Sequence, residues 1–291
     1  EKFLPYINNN FDFQEMLSEM LGELNASHTG ARYYASNSTL TTANLGVFFD
    51  PQYQGDGLKI QEIIKRGPFD VKNTGVTAGC IIESIDGEEI KAGMDYFPLL
   101  DGKVGKNVRL GIRNAKGKKM EVTVKAISQG KLNNLLYKRW VDRNRAFVDS
   151  ISGGRIAYVH VKAMDSESFR TVYSELLSDK NRNRDAVIVD ERHNGGGWLH
   201  DDLCTLLNGK QYQEFVPHGK VVGRDPFNKW VKPSCVMICE NDYSNGHGFP
   251  WVYKELGIGK LIGAPVAGTM TAVWWETLMD NTLVFGIPQV G

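Results

Sequence analysis

At 291 residues, with 34 basic and 34 acidic side chains and a formal net charge of zero, the chain is long enough to bury one large core or two. The charge balance argues against a nucleic-acid or anionic-membrane partner, and no apolar run approaches the roughly 20 residues of a spanning helix. Four cysteines (Cys80, Cys204, Cys235, Cys239) are too scattered for a disulfide framework or a zinc site, so each is expected as a buried structural thiol and no metal or cofactor is called for.

Phe13, Met16, Leu17, Met20, Leu21 and Leu24 recur at spacings of three and four, which predicts a helix over 11–24. Asp12 followed by Glu15 reads as its capping box. His28 then falls just past the helix C-terminus, where the dipole would favour imidazolium. From about Ser38 to Ala126 short apolar runs at strand period take over, ending in a hairpin that pairs 108–113 with 120–124 across Asn114-Ala-Lys-Gly117-Lys. The segment Gly79-Cys-Ile-Ile-Glu-Ser-Ile-Asp-Gly-Glu-Glu-Ile90 resembles the most recognisable stretch of PDZ domains, and Asn44-Leu45-Gly46-Val47 resembles their carboxylate-binding loop. That resemblance implies that Leu45, Gly46 and Val47 offer backbone N–H groups to a peptide C-terminus. An amphipathic, basic segment over 131–145 follows, its charges read as a solvated face.

From Arg155 strands alternate with helices: Ile156–Val161, a helix over 166–177, Val187–Val189, a helix over 199–207, Cys235–Cys239, a helix over 249–256, then Leu261-Ile262. Such alternation predicts a largely parallel sheet, with ligands beyond the carboxyl ends of its strands. Two turns lie there. Ala186-Val-Ile-Val189 runs into Asp190-Glu-Arg-His-Asn-Gly195-Gly196-Gly197, whose glycines leave N–H groups bare for an anion or oxyanion. Cys235–Cys239 runs into Glu-Asn-Asp-Tyr-Ser244-Asn245-Gly246, where a nucleophile would sit. A serine hydroxyl needs a base, and spacing alone does not choose among the six histidines, of which His193, His200 and His247 flank the two turns. The bland alternative makes Ser244 a helix cap.

Leu24-Asn-Ala-Ser27-His28-Thr-Gly30, the PDZ-like insert, Arg155-Ile-Ala-Tyr-Val-His160, the Asp190–Trp198 segment, Asn241-Asp-Tyr-Ser244-Asn245-Gly, and Leu256-Gly-Ile-Gly-Lys-Leu-Ile-Gly263 occur in that order. Over essentially the whole chain this resembles the catalytic half of the tricorn proteases, serine peptidases related to the C-terminal processing peptidases. The resemblance implies an α/β (α+β overall) fold: a crotonase/ClpP-like catalytic domain with a mixed, largely parallel sheet, an N-terminal helical segment and the inserted PDZ-like module. Its parts would be 1–37 (helical part of the core), 38–127 (PDZ-like), 128–150 (connection) and 151–291 (catalytic). By the same resemblance Ser244 is the nucleophile, His28 the general base and Ser27 a second serine that orients the site. Gly197 and Asn245 supply the oxyanion-hole amides. Asn245 stands where tricorn enzymes commonly carry Asp, a change without consequence if the backbone is the donor.

The family's acidic residue, a Glu that orients the histidine, lies downstream of the stretch resembling Gly286–Gly291, so it is expected beyond Gly291; Glu276 does not match it. Phe215 and Glu214 align ambiguously with the position that sets side-chain preference. The chain begins without Met and ends at Gly291 directly after a strand-like run, so it is expected to be a fragment, with further domains in the parent. The expected substrate is a peptide or unfolded polypeptide. Ring-like homo-oligomers and a bacterial periplasmic location, with the cytoplasm as alternative, are expected from the family alone. Two other enzyme readings are weaker. The ligand types Asp190, Glu191, His193, His200, Asp201 and Asp202 invite a metal, but helix neighbours point apart. An acyl-CoA enzyme would share the oxyanion turn, not the PDZ-like insert. The competing class is a catalytically weak or inactive PDZ-bearing peptide-binding module.

Overall fold

The computed structural model describes residues 2–35, 40–72 and 74–290. The chain divides into two compact units, 1–36 with 143–291, and 37–142. The boundary expected at 37/38 falls outside the described residues.

In chain order the first unit opens with α1 (Asn10–Gly22) and β1 (Gly30–Tyr33). The second holds β2 (Val47–Phe49), β3 (Leu58–Ile63), β4 (Ile81–Ile85), β5 (Glu88–Glu89), β6 (Asn107–Arg113) and β7 (Lys119–Lys125). Helix α2 (Gln129–Ile151), the amphipathic segment of the sequence, begins in the second unit and ends in the first. The first unit resumes with β8 (Ile156–His160), α3 (Ser166–Leu176), α4 (Asp179–Arg182), β9 (Ala186–Asp190), α5 (His200–Leu207), β10 (Gln213–Phe215) and β11 (Gly223–Asp225). It closes with β12 (Ser234–Ile238), α6 (Asn245–Glu255), β13 (Lys260–Gly263), β14 (Ala272–Thr277) and β15 (Leu283–Val290).

In the first unit the predicted parallel sheet is present, with strand order β13-β12-β9-β8 and all three pairings parallel. β8 and β9 are short apolar runs with little exposure on either face, as parallel strands covered by helices require, while the edge strand β13 is largely exposed. Val159, Val189, Val236, Leu203, Phe249 and Tyr253 are fully buried in one core between this sheet and its helices. A separate antiparallel sheet of order β1-β15-β14 makes the fold mixed.

The second unit is an antiparallel sheet of order β2-β3-β4-β6-β7, with β5 paired to β4. Ile60, Ile82, Ile85, Val108, Leu110 and Ile112 form its core. Alternation along β6 (Val108, Leu110, Ile112 buried) is what the period-2 pattern predicts for a sheet with one face covered.

Three local readings change. Helix α1 starts at Asn10, capped by Asn9, whose Oδ1 accepts from the Asp12 N–H at 3.0 Å while Asp12 Oδ2 accepts from the Asn8 N–H at 2.9 Å. The box is thus Asn9/Asp12, one turn earlier than the Asp12/Glu15 pair. The helix ends at Gly22, too far from His28 for its dipole, which acts within the last turn. Helix α6 begins at Asn245, not Phe249. Its first turn is Asn-Gly-His-Gly followed by Pro250, poor helix formers that hid it in the sequence.

Candidate active site

Ser244 follows β12 at the carboxyl end of the parallel sheet, with φ 56° and ψ −121°. A residue with a Cβ held there stores on the order of 1–3 kcal/mol, tolerated only where neighbours fix the backbone. They do: the Ser244 N–H donates to Thr269 Oγ1 at 3.2 Å, and the Tyr243 N–H donates to the Asn194 carbonyl at 2.9 Å. Although Ser244 occupies the N-cap of α6, its side chain makes no capping bond, so the bland alternative does not hold.

The glycine turn after β9 is locked to this nucleophile-like turn. Buried Asn194 accepts from the Gly196 N–H at 2.9 Å and donates to the Val161 carbonyl at 2.9 Å. Asp242 accepts from the Asn194 N–H at 3.2 Å and the Cys239 N–H at 2.8 Å. A Cβ on Gly196 would stand 2.6 Å from Ser244 Cβ and 2.8 Å from the Tyr243 carbonyl oxygen, so only glycine lets the turns approach. Gly197 has φ +135°, and a Cβ there would collide with the Met164 carbonyl. The Gly196 carbonyl accepts from Met164 N–H and the Trp198 N–H donates to the Met164 carbonyl, which leaves the Gly197 amide outside the pairing. Asn245, first residue of α6, has no intrahelical acceptor for its own amide. Its side-chain Oδ1 accepts from the Leu199 and His200 amides at 2.8 and 3.1 Å.

His28 arrives on a third turn, at φ 63°. Its N–H donates to Tyr243 Oη at 2.7 Å, and the two rings lie 4.7 Å apart. Its Nδ1 lies 3.1 Å from Ser27 Oγ and 3.0 Å from Thr271 Oγ1. Burial lowers its pKa below the usual histidine value, the reverse of what a helix C-terminus would do. His28, Gly197, Trp198, Ser244 and Asn245 line one cleft of about 310 Å³, completed by Met270–Val273 and Val290. Among the described residues no hydrogen bond joins His28 to Ser244. The flanking histidines turn elsewhere: His247 Nδ1 accepts from the Met270 N–H at 3.2 Å, and His200 Nδ1 faces the Asn245 amide at 2.8 Å. Glu276 is exposed on β14, outside the His28 contacts.

Tyr243, Thr269, Thr271, Asn194 and Asp242 were not singled out in the sequence. Tyr243 and Asp242 flank the nucleophile turn and Asn194 abuts the glycines, a positional hint; Thr269 and Thr271 carry no local signal.

Of the residues weighed as metal ligands, Asp190 and His200 have other partners. Asp190 accepts from Tyr158 Oη at 2.7 Å and pairs with Arg192 at 2.7 Å, which holds its carboxyl below the usual range despite burial. Glu191 is fully buried, and among the described residues neither carboxyl oxygen has a hydrogen-bond partner. Burial, then the Asp242 and Asp190 carboxylates, push its pKa well above the usual value, which favours the neutral acid in the fold. Between the unfolded and folded pKa, unfolding releases its proton, so stability falls with rising pH by about 1.4 kcal/mol per unit. Glu191→Gln is therefore expected to melt at higher temperature than the unsubstituted chain at mildly alkaline pH. The two melting curves should converge in mild acid; parallel pH dependences would show that Glu191 is not the source.

In the second unit, Leu45 and Val47 are buried, and the Gly46 amide, at φ +69°, donates to Asn44 Oδ1 at 2.8 Å. Gly46 N–H is thus engaged within its own loop, ahead of the edge strand β2. The cysteines are free; Cys80, Cys204 and Cys239 are buried and Cys235 is half-buried.

Residues 155–289 match the model of Peptidase family S41, and residues 48–129 match that of the Tricorn protease PDZ domain. Over almost its whole length the chain is similar to tricorn proteases. It is 27% identical to the Tricorn protease homolog of Saccharolobus solfataricus over 98% of this chain and 27% of that protein. It is 26% identical to the Tricorn protease of Thermoplasma acidophilum over 97% of this chain and 27% of that protein. The crystal structure of the tricorn protease superposes with a TM-score of 0.83 at 23% identity, covering 99% of this chain and 28% of that one, and so shares its fold. The chain spans about a quarter of the length of these relatives.

Proposed function

We propose that the chain hydrolyses peptide bonds in oligopeptides or unfolded protein segments through an acyl-enzyme on Ser244. The observation that carries this reading is the cleft itself. A serine in a strained strand-to-helix turn, its hydroxyl unspent on capping, shares it with a histidine and two residues whose backbone amides are unspent.

In this reading Ser244 Oγ attacks the scissile carbonyl carbon while His28 Nε2 takes the hydroxyl proton. Charge gathers on the former carbonyl oxygen, which accepts from the Gly197 and Asn245 amides. Each such donor is worth roughly 2.7–4 kcal/mol of barrier. Collapse breaks the C–N bond, and imidazolium returns its proton to the leaving amine. Water, deprotonated by the same nitrogen, then attacks the ester and frees the acid and Ser244. The lowered His28 pKa keeps the base unprotonated into mild acid.

Trp198, Met270, Ala272, Val273 and Val290 give the cleft apolar walls, and among the described residues no Asp, Glu, Lys or Arg lines it. Glu214, one of the ambiguous specificity positions, is paired with Arg224 at 2.8 Å. Substrates with an apolar side chain on the acyl side of the cut bond are expected to exceed matched Lys or Arg substrates in kcat/KM by roughly 10-fold or more, the cost of desolvating an unpaired charge. A preference for basic residues in a fluorogenic peptide panel would refute this.

The reading is tested by treating the protein with a fluorophosphonate and mapping the adduct. Labelling at Ser244, lost on prior denaturation, supports it. No labelling, with C-terminal peptides still bound, would favour the PDZ-bearing binding module.

A further inference from the structure

Thr269-Met270-Thr271, the last residues before β14, contacts both the Ser244 turn with its helix α6 and the His28 turn. Thr269 Oγ1 accepts from the Ser244 N–H at 3.2 Å, the Met270 N–H donates to His247 on α6 at 3.2 Å, and Thr271 Oγ1 stands 3.0 Å from His28 Nδ1. The same Thr271 oxygen is 2.5 Å from Ser27 Oγ, and Ser27 Oγ donates to the Thr269 carbonyl at 3.3 Å.

Several hydrogen placements fit this cluster, because Ser27 Oγ also stands 3.1 Å from His28 Nδ1 and Thr271 Oγ1 can donate to the Ser27 carbonyl at 3.3 Å; two of them run along the two hydroxyls from Thr271 to Ser27 or back. If Nδ1 carries the proton, it donates to Thr271 Oγ1, Thr271 donates to Ser27 Oγ, and Ser27 donates to the Thr269 carbonyl. Every hydroxyl then accepts one bond and gives one, and the chain ends on a fixed backbone acceptor. If Nδ1 is bare, Thr271 donates to it and Ser27 donates to Thr271. The Thr269 carbonyl then loses its Ser27 donor, and the proton moves to Nε2. Of these two, the first leaves Nε2 with a lone pair, the form a base requires.

We infer that Thr271 is the positioning residue of His28: its hydroxyl, relayed through Ser27 to the Thr269 carbonyl, holds the imidazole as the Nδ1–H tautomer. The inference rests on the reading of His28 as the base for Ser244. The hydroxyl relay orients the ring with neutral dipoles. It therefore sets tautomer and angle.

The test is a pair of measurements on Thr271→Val, which keeps the shape and removes the hydroxyl, and Thr271→Ser, which keeps the hydroxyl. In the unsubstituted protein, ring ¹⁵N shifts of His28 should report the proton on Nδ1. Thr271→Val should shift the population towards Nε2–H, and Thr271→Ser should not. The maximal rate of fluorophosphonate labelling at Ser244 should fall by roughly 10- to 100-fold in Thr271→Val at unchanged probe affinity, and recover in Thr271→Ser. A merely structural threonine would alter melting without moving the tautomer. An Nε2–H signal in the unsubstituted protein, or a Thr271→Val protein with unaltered tautomer and labelling, overturns the inference. Absence of any Ser244 labelling overturns the peptidase reading instead, because the tautomer is read without activity.

Discussion

Ser244→Ala is expected to lower kcat for peptide hydrolysis by roughly 10⁴-fold or more, with the melting temperature nearly unchanged. Alanine at φ 56° stores the same backbone strain as serine, and the lost hydroxyl makes no capping bond to forfeit. Ser244→Gly should be equally inactive and yet more stable, by roughly 0.5–1 kcal/mol, because glycine occupies positive φ without a Cβ clash. Activity and stability thus separate at this residue, as they do where strain serves a site. A Ser244→Ala protein that retains peptidase activity would remove Ser244 from the mechanism. A Ser244→Gly protein of lowered stability would deny the strain.

The second large effect is at Gly197. A Cβ there meets the Met164 carbonyl, part of the chain and not a movable side-chain tip, and the φ of +135° is one that L side chains rarely adopt. Gly197→Ala must therefore displace its own amide from the cleft. The expected loss is roughly 10²–10³-fold in kcat, that of one oxyanion donor, with a stability cost on the order of 1–3 kcal/mol. Initial rates on a peptide substrate together with thermal melts separate the two. A folded Gly197→Ala protein with an unaltered rate would show that this amide does not face the reacting oxygen.

How far the sequence carries follows from which interactions are local. The alternation of apolar strands and amphipathic helices after Arg155 predicts the parallel sheet, because covered parallel strands must be apolar throughout. The hairpin of β6 and β7 is legible from its period and its Asn114–Lys118 turn. The start of α6 was not, since Gly246, Gly248 and Pro250 oppose helix by propensity while tertiary packing of Phe249 and Tyr253 imposes it.

The cleft shows the same division. The two turns that carry Ser244 and Gly195–Gly197 are visible as strand ends followed by permissive residues. That His28 shares a cleft with Ser244 rested on family resemblance, because more than two hundred residues and a whole inserted unit separate them in sequence. The groups that seat His28, Tyr243 Oη and Thr271 Oγ1, meet it only through closure of the chain. No pattern of spacing announces such contacts. The buried Glu191 reads in the sequence as a ligand type, whereas its burial beside Asp242 and Asp190 favours the neutral acid.

The most direct test is to trap the acyl-enzyme. The protein is mixed with an activated ester of a short peptide ending in an apolar residue, quenched in acid within the first turnovers, and mapped by mass spectrometry. The account predicts a mass gain equal to the acyl group on the peptide that contains Ser244, absent from Ser244→Ala. Turnover without any adduct, or an adduct on another residue that persists in Ser244→Ala, would contradict it.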